Sequence, residues 1–385
     1  MPKERSAVYA GTFDILTNGH LHILNKAAIL FDKIFLVVAD NSEKKTMFTL
    51  EERMDMAQAA VASLPKETSV SIVKLTPFEY LVNFAYKAGA CCMIRGIRDN
   101  IDFAYEEKLH RTNLAICPKV ETIYIMPDDT HSLISSSWVK GLIGQNGWRE
   151  IVAPTVPKNV FEALKKLFFK KLVDKFVKNM ADVKVGFSLV EPLKFTGKII
   201  AAYNREGYHN YDHLLDGLEI FNNYLSDGNF SFTDEDVLTI TYAWLMHDYD
   251  KSEQVSMMKA ADFCLAQSVN KQPILDLIDA TKHRENKNFE PYSAQALFAS
   301  VDLMVLAWPW SKYHSYVAKI EQEYVHLGPD TVNKGRMEFL EEMLAKKVIF
   351  PYPPIEAEYG LLARNNMELE LHNREEKGRA EEGVY

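Results

Sequence analysis

The sequence predicts a doubly wound, parallel α/β domain followed by an all-α one. Strand-like and helix-like segments alternate as far as about residue 167, the pattern of a parallel sheet covered on both faces. Beyond residue 168 the apolar spacing turns helical and β-alternation becomes scarce. The chain has 385 residues, more than the roughly 250 to 300 at which a single core stops growing, so two domains are expected.

Taken in order, Ala7, Val8, Tyr9 and Ala10 form the first strand, and an apolar-periodic helix follows Asn18. Residues 34–39 read as a buried strand, 50–64 as a helix, 70–75 as a strand, 77–88 as a helix and 91–94 as a strand. Residues 122–126 supply another strand ahead of Ser135, Ser136 and Ser137, which open a helix, and 158–167 close the domain as a helix. The stretch 170–178 is basic and amphipathic; Leu214, Leu215, Leu218 and Phe221 then recur at helical spacing, as do the apolar positions of 237–246. The organisation expected is a first domain over 1–168, a helical linker over 169–184, a second domain over 185–372 and a charged, frayed tail over 373–385.

Composition sets broad limits. A net charge of -9 argues against nucleic acid as the main partner, although a local basic pocket can still hold phosphates. Cys91, Cys92, Cys117 and Cys264 lack paired metal spacing, and neither a leader nor a membrane-spanning segment is expected. The expectation is a reduced, cytoplasmic protein with no membrane partner and with buried thiols.

Between the first strand and its helix lies Gly11-Thr12-Phe13-Asp14-Ile15-Leu16-Thr17-Asn18-Gly19-His20. Two glycines let backbone N–H groups approach a polyphosphate, and the helix after Asn18 offers unpaired donors and a positive dipole end, with His20 in its first turn. Alone this would mean only a turn. Three more strings fall where a parallel sheet exposes the carboxyl ends of its strands: 41–53, which carries Lys44, then Arg95-Gly96-Ile97-Arg98, then Ile134-Ser135-Ser136-Ser137. In order and spacing, from Ser6 to about Phe168, these strings resemble the bacterial phosphopantetheine adenylyltransferases, whose fold is a Rossmann-like nucleotidyltransferase.

The resemblance implies transfer of AMP from ATP to 4′-phosphopantetheine, giving dephospho-CoA and pyrophosphate, with Mg²⁺ sharing the nucleotide's charge. It also implies a homo-oligomer, the resembled enzymes being hexamers. The attacking phosphate is already an anion, so positioning and charge stabilisation should carry the rate rather than a strong base. By motif, Thr12 falls to the acceptor phosphate, His20 to the α-phosphate in the transition state, and Lys44 and Arg95 to phosphates. Gly11, Phe13, Gly19, Arg98, Glu106 and Ser135 to Ser137 join Thr12 and His20 on ATP, while Tyr80 and Leu81 join Thr12, Lys44 and Arg95 on the acceptor side. Ala10 and Ile15 stand where the family usually has proline, Tyr80 where it has small apolar residues, and His131 where tryptophan is frequent. A different phosphorylated acceptor, such as nicotinamide mononucleotide, is therefore the alternative. Cytidylyl transfer is disfavoured by the Arg-Gly-Ile-Arg and Ile-Ser-Ser-Ser strings.

In the second domain, Tyr208-His209-Asn210-Tyr211-Asp212-His213 puts two histidines four residues apart, on one face if the segment is helical. His247-Asp248 follows an apolar helix, and Asp302 sits in the apolar run 301–306, where an acid is costly unless paired or bound to metal. This ordered set resembles the HD-domain metal-dependent phosphohydrolases. The resemblance implies a divalent metal (Mn²⁺, Fe²⁺, Ni²⁺, Co²⁺ or Mg²⁺) held by His213, His247, Asp248 and Asp302 and activating water against a phosphoester. His209 stays open as an alternative ligand or a supporting group. His283 is either a contact to substrate or a second metal, or simply a histidine satisfied in the core. A noncatalytic nucleotide-sensing or assembly module is the alternative for the whole domain.

Overall fold

The computed structural model describes residues 4–382, apart from 41–44, 63, 65–68, 76–78, 146, 183–187, 190, 226–231, 251, 266–270 and 286. It divides into two compact units, Met1–Phe168 and Phe169–Tyr385.

In the first unit β1 (Ser6–Gly11), α1 (Asn18–Leu30), β2 (Lys33–Val38), α2 (Leu50–Ala62), β3 (Ser69–Lys74), α3 (Leu81–Lys87), β4 (Cys92–Gly96), α4 (Asn100–Ile116) and β5 (Glu121–Ile125) alternate. Then come α5 (Asp129–Ser132), α6 (Ser136–Leu142), α7 (Trp148–Val152) and the start of α8 (Lys158–Asp182), whose residues from Phe169 on belong to the second unit. All strand pairs are parallel, in the order β3-β2-β1-β4-β5. The central strand is buried on both faces because successive side chains point to opposite sides. Ala7 and Tyr9 join one core with Ile23 and Leu24 of α1 and Met56 and Ala57 of α2. Val8 and Ala10 join another with Val82 and Ala85 of α3. The chain leaves β1 for β2 on one side and returns to its other side as β4, so a crevice opens between the carboxyl ends of these two strands.

The last helix of this series is longer than the spacing predicts. Nothing between 158 and 182 is glycine or proline, and α8 runs for 25 residues. Phe169 and Phe176, on the stretch expected as a linker, pack within the second unit, the first on Tyr211 and the second on Tyr242, with ring centroids 6.3 Å apart in each pair.

The second unit continues with β6 (Ser188–Leu189), α9 (Pro192–Tyr203), α10 (Tyr211–Leu225), α11 (Asp234–Met246), α12 (Glu253–Phe263), β7 (Cys264–Leu265) and α13 (Gln272–Asp279). It ends with α14 (Ala294–Leu303), α15 (Trp310–Glu323), α16 (Pro329–Ala345) and α17 (Pro353–Glu382). The short antiparallel pair β6·β7 is, among the described residues, the one departure from an all-α unit. At the centre lies α11, with Tyr242, Ala243, Trp244, Leu245 and Met246 all buried. Its start is fixed by a capping box: the Thr233 hydroxyl accepts from the Asp236 N–H, and the Asp236 carboxylate accepts from the Thr233 N–H. Gly217 of α10 makes room for Trp244, because a Cβ there would lie 2.0 Å from the indole ring. The tail expected to fray is helical to Glu382, with Arg374 donating to Glu321 and Asn333, both at 2.6 Å. Among the described residues no helix is long and apolar enough to cross a membrane.

Candidate functional site

A cavity of about 380 Å³ opens at the carboxyl ends of β1 and β4. Gly11, Thr12, Phe13, Gly19, His20, Arg95, Arg98, Glu106, Ser135, Ser136 and Ser137 all line it, and so does His131. Lys44 lies outside the described residues. Tyr80, 63% exposed, and Leu81 stand at the start of α3 and do not border the cavity. The two halves of the wall meet through Gly19: a Cβ there would press to 3.2 Å on the Ile134 carbonyl just before the serine run.

His20 is the third residue of α1, and its ring closes the N-terminus of that helix. The Thr17 N–H donates to His20 Nδ1 at 3.0 Å, and the Thr17 hydroxyl lies 2.9 Å from the same nitrogen. A backbone amide can only donate, so Nδ1 is the acceptor and the proton of the neutral ring sits on Nε2. Burial, helped by the positive charge of Arg98, lowers the imidazole to about 4. At neutral pH His20 is therefore an uncharged Nε2–H donor in the cavity wall.

The cations beside it are held by carboxylates. Arg95 donates to the Ala10 carbonyl at 3.0 Å and pairs with Glu106 at 3.1 Å, and Arg98 pairs with Asp102 at 2.9 Å. Burial raises the Glu106 carboxyl against the pull of Arg95. In the serine run, Ser135 caps α6 by accepting from the Trp138 N–H at 3.1 Å. Ser136 donates its proton to the Ile15 carbonyl at 2.7 Å, so that hydroxyl ties the motif loop to α6 rather than offering a proton to a phosphate.

Sequence reasoning missed the groups that hold this loop. Asp14, buried at 3% exposure, accepts from the Met47 and Phe48 N–H groups at 2.9 and 3.0 Å and pairs with Lys140. Arg53, at 1% exposure, donates to the Thr12 carbonyl at 2.6 Å and the Ala39 carbonyl at 2.9 Å. One signal was available: Arg53 shares the buried stripe of α2 with Leu50, Met56, Ala57 and Ala60, where a charge needs several partners. His131 is also part of a cluster with His22 and Asp128 whose potential ligand atoms lie within 4.8 Å of one another. The two imidazoles stack nearly parallel at 4.4 Å, so their in-plane lone pairs do not converge on one ion.

In the second unit His213 of α10, His247 and Asp248 after α11, and Asp302 of α14 likewise offer ligand atoms within 4.8 Å of one another. His247 Nε2 lies 3.0 Å from Asp248 and 3.5 Å from Asp302; His213 Nε2 lies 3.3 and 3.4 Å from the same carboxylates. His247 Nδ1 is 2.8 Å from the Trp244 carbonyl, an obligate acceptor, so this ring turns Nε2 to the cluster. Burial opposes charge at His247, Asp248 and Asp302. The carboxylates nonetheless push His247 up to about 10, and the histidines hold Asp248 and Asp302 well below the usual range. The set of two imidazoles and two carboxylates fits a divalent cation.

His209 precedes α10 rather than lying on it, so the helical i, i+4 expectation is corrected: Gly207 and the turn at 208–210 come first. Its Nδ1 lies 2.9 Å from Glu323 of α15 and its Nε2 3.9 Å from Asp248, outside the four-residue cluster. His283 Nε2 lies 2.8 Å from the second oxygen of Asp302, orienting that carboxylate. The sequence offers no sign of Glu323, and although Tyr208 opens the histidine motif, its role there, with the hydroxyl 2.9 Å from His213 Nδ1, is shown only by the fold.

A family described as Cytidylyltransferase-like matches residues 8–141. A phosphopantetheine adenylyltransferase of Nautilia profundicola is 40% identical over 158 residues, which are 41% of this chain and 97% of that protein. Among solved structures, Plasmodium falciparum nicotinic acid mononucleotide adenylyltransferase is 17% identical with a TM-score of 0.33, over 42% of this chain and 94% of that one. The lipopolysaccharide core biosynthesis protein of Thermoplasma volcanium is 22% identical with a TM-score of 0.26, over 33% of this chain and 100% of that one.

Proposed function

We propose, for a chain that belongs through its N-terminal 41% to the phosphopantetheine adenylyltransferase family, that the first unit transfers AMP from ATP to 4′-phosphopantetheine. A phosphate oxygen of the acceptor bonds to the α-phosphorus, the bond to the bridging oxygen breaks, and pyrophosphate leaves with dephospho-CoA as the product. The observation that carries this reading is the neutral Nε2–H of His20 in the crevice between β1 and β4, with Arg95 and Arg98 in the same wall. A preorganised donor stabilises charge that grows in the transition state, and the already anionic acceptor needs no base. Thr12 and Lys44 serve the acceptor phosphate, and Mg²⁺ accompanies ATP.

Pyrophosphate release from ATP with 4′-phosphopantetheine tests the assignment, with His20→Ala beside the wild type. The variant should lose kcat more than ATP affinity. Unchanged turnover in it would remove the core of the reading. Activity with nicotinamide mononucleotide or another phosphate but not with 4′-phosphopantetheine would move the acceptor, with Tyr80 the first residue to exchange.

For the second unit we propose a divalent-metal site of a phosphohydrolase, supported by the convergence of His213, His247, Asp248 and Asp302. When bound, the ion would supply an activated water and a Lewis acid for a phosphate ester. His247 is oriented by Trp244, and Asp302 by His283. Metal content of purified wild type and Asp248→Ala, measured by plasma emission, decides this: the wild type should hold about one ion per chain and the variant none. A metal-free wild type from Mn²⁺-replete medium would favour the noncatalytic sensing or assembly module instead.

A further inference from the structure

We propose that the large cavity beside the His213, His247, Asp248 and Asp302 cluster binds the organic part of a phosphomonoester, and that this part is aromatic and apolar rather than a second phosphate. The inference rests on the reading of that cluster as a metal site. The cavity measures about 680 Å³ and lies wholly in the second unit, within the size range of small-molecule sites. Asp302, His209 and His283 form part of its wall, so cavity and cluster are continuous.

Away from the cluster the wall changes character. Leu303, Leu306, Ile320 and Val332 border the space, together with the rings of Tyr316, Tyr324 and Phe339. Two of those rings are held in place by one cation: the Arg336 guanidinium lies 5.1 Å from the ring centres of both Tyr316 and Phe339. Such a wall takes up an aryl group by burial and by edge or face contacts.

The charges in the same wall argue against a polyanion. Arg336 meets Glu370 through two nitrogens at 2.9 and 3.1 Å, and its third lies 3.0 Å from the Tyr316 hydroxyl. Lys282 pairs with Asp279 at 2.7 Å, and Arg284 donates to the Gly335 carbonyl at 3.0 Å. Glu253, Glu285 and Glu321 also border the space. Arg336 is buried and committed to Glu370, Lys282 and Arg284 are partly exposed and already paired, and acids stand among them, so the wall compensates a second phosphate less well than it buries an aryl group. Pyrophosphate, the product proposed for the first unit, is disfavoured as the occupant on this ground.

Gly335 provides the test, because it borders the cavity and a Cβ there meets nothing within 4 Å, so a large side chain has room to narrow the space without displacing a neighbour. The full chain and Gly335→Phe are titrated calorimetrically with Mn²⁺ and then, Mn²⁺-loaded, with inorganic phosphate, pyrophosphate and phenyl phosphate. Asp248→Ala is run in parallel so that anions taken up by the first unit are subtracted. Phenyl phosphate should bind the wild type at least about tenfold tighter than inorganic phosphate, the return for burying a ring, and pyrophosphate no tighter than phosphate. Gly335→Phe should lose the tenfold while Mn²⁺ and phosphate binding stay as they were. Normal Mn²⁺ binding without that preference, a preference for pyrophosphate, or a preference untouched by Gly335→Phe would overturn the inference and leave the metal reading standing. Absence of Mn²⁺ binding in the wild type would overturn both.

Discussion

At the scale of single residues, the adenylyl transfer proposed for the first unit depends on keeping His20 uncharged. Its folded pKa falls from 6.5 to about 4 through burial. A group with a depressed pKa stabilises the fold fully above its unfolded value and loses that contribution as pH falls through the folded one. The His20 contribution is thus complete above 6.5 and lost on the way down to about 4. A kcat profile for adenylyl transfer should therefore show no loss assignable to His20 between about pH 8 and pH 5; an inflection near 6.5 that disappears in His20→Asn would contradict a buried neutral ring. Asp14 is the second case. Asp14→Ala leaves two amides and Lys140 without their carboxylate, which should lower stability in urea by about 1–3 kcal/mol and reduce turnover as the 45–48 segment loosens. Full stability in that variant would mean that water replaces the carboxylate. Neither the Asp14 to Lys140 pair nor the Glu323 to His209 contact could be read from sequence, because each joins positions more than a hundred residues apart with no local pattern to announce it.

At the scale of elements, the inner strands of the first unit were legible because burial on both faces writes short continuous apolar runs bounded by turns, as in residues 34–39, one position from the observed β2. Residues 122–126 likewise fall one position from β5, an edge strand whose β-branched and aromatic residues, not full burial, carry the signal. Helix ends were less legible. α8 passes the point where composition changes because no residue stops it, and α17 keeps its turn through a charged segment in which Arg374 is anchored at both sides. The start of α10 at Tyr211 displaces His209 from the helix, since Glu323 accepts from the Tyr208 and His209 N–H groups and so holds the preceding turn. Gly217 of α10 tests how two elements meet. Trp244 fills the place of its missing side chain and stacks on His247 at 4.2 Å. Gly217→Ala should cost about 1–3 kcal/mol by overpacking, despite alanine's better helix propensity, and should weaken Mn²⁺ binding by displacing the indole. Equal urea midpoints and equal Mn²⁺ affinity would show that the ring moves freely.

At the scale of the whole molecule, each unit owns the residues of its site. Both cores of the first unit draw their buried residues from positions 7–164, and among the described residues the two candidate sites share none. Residues 1–168 expressed alone should fold and keep adenylyl transfer, a length ample for one domain; aggregation or inactivity beside an active full chain would show that the second unit is required. A chelator should lower one calorimetric transition of the full chain and leave the other, because an ion stabilises only the unit that binds it. A single transition shifting as a whole would contradict independent units.

The bonds that join Thr17 to His20 have a further effect on how this chain tolerates change. The same amide and hydroxyl that finish the first turn of α1 also decide which imidazole nitrogen carries the proton. A library selected for expression level and one selected for product formation would therefore discard the same codons at position 17, and serine is the replacement that retains both groups. The position has no neutral drift between robustness and chemistry, since a single set of contacts answers to both selections.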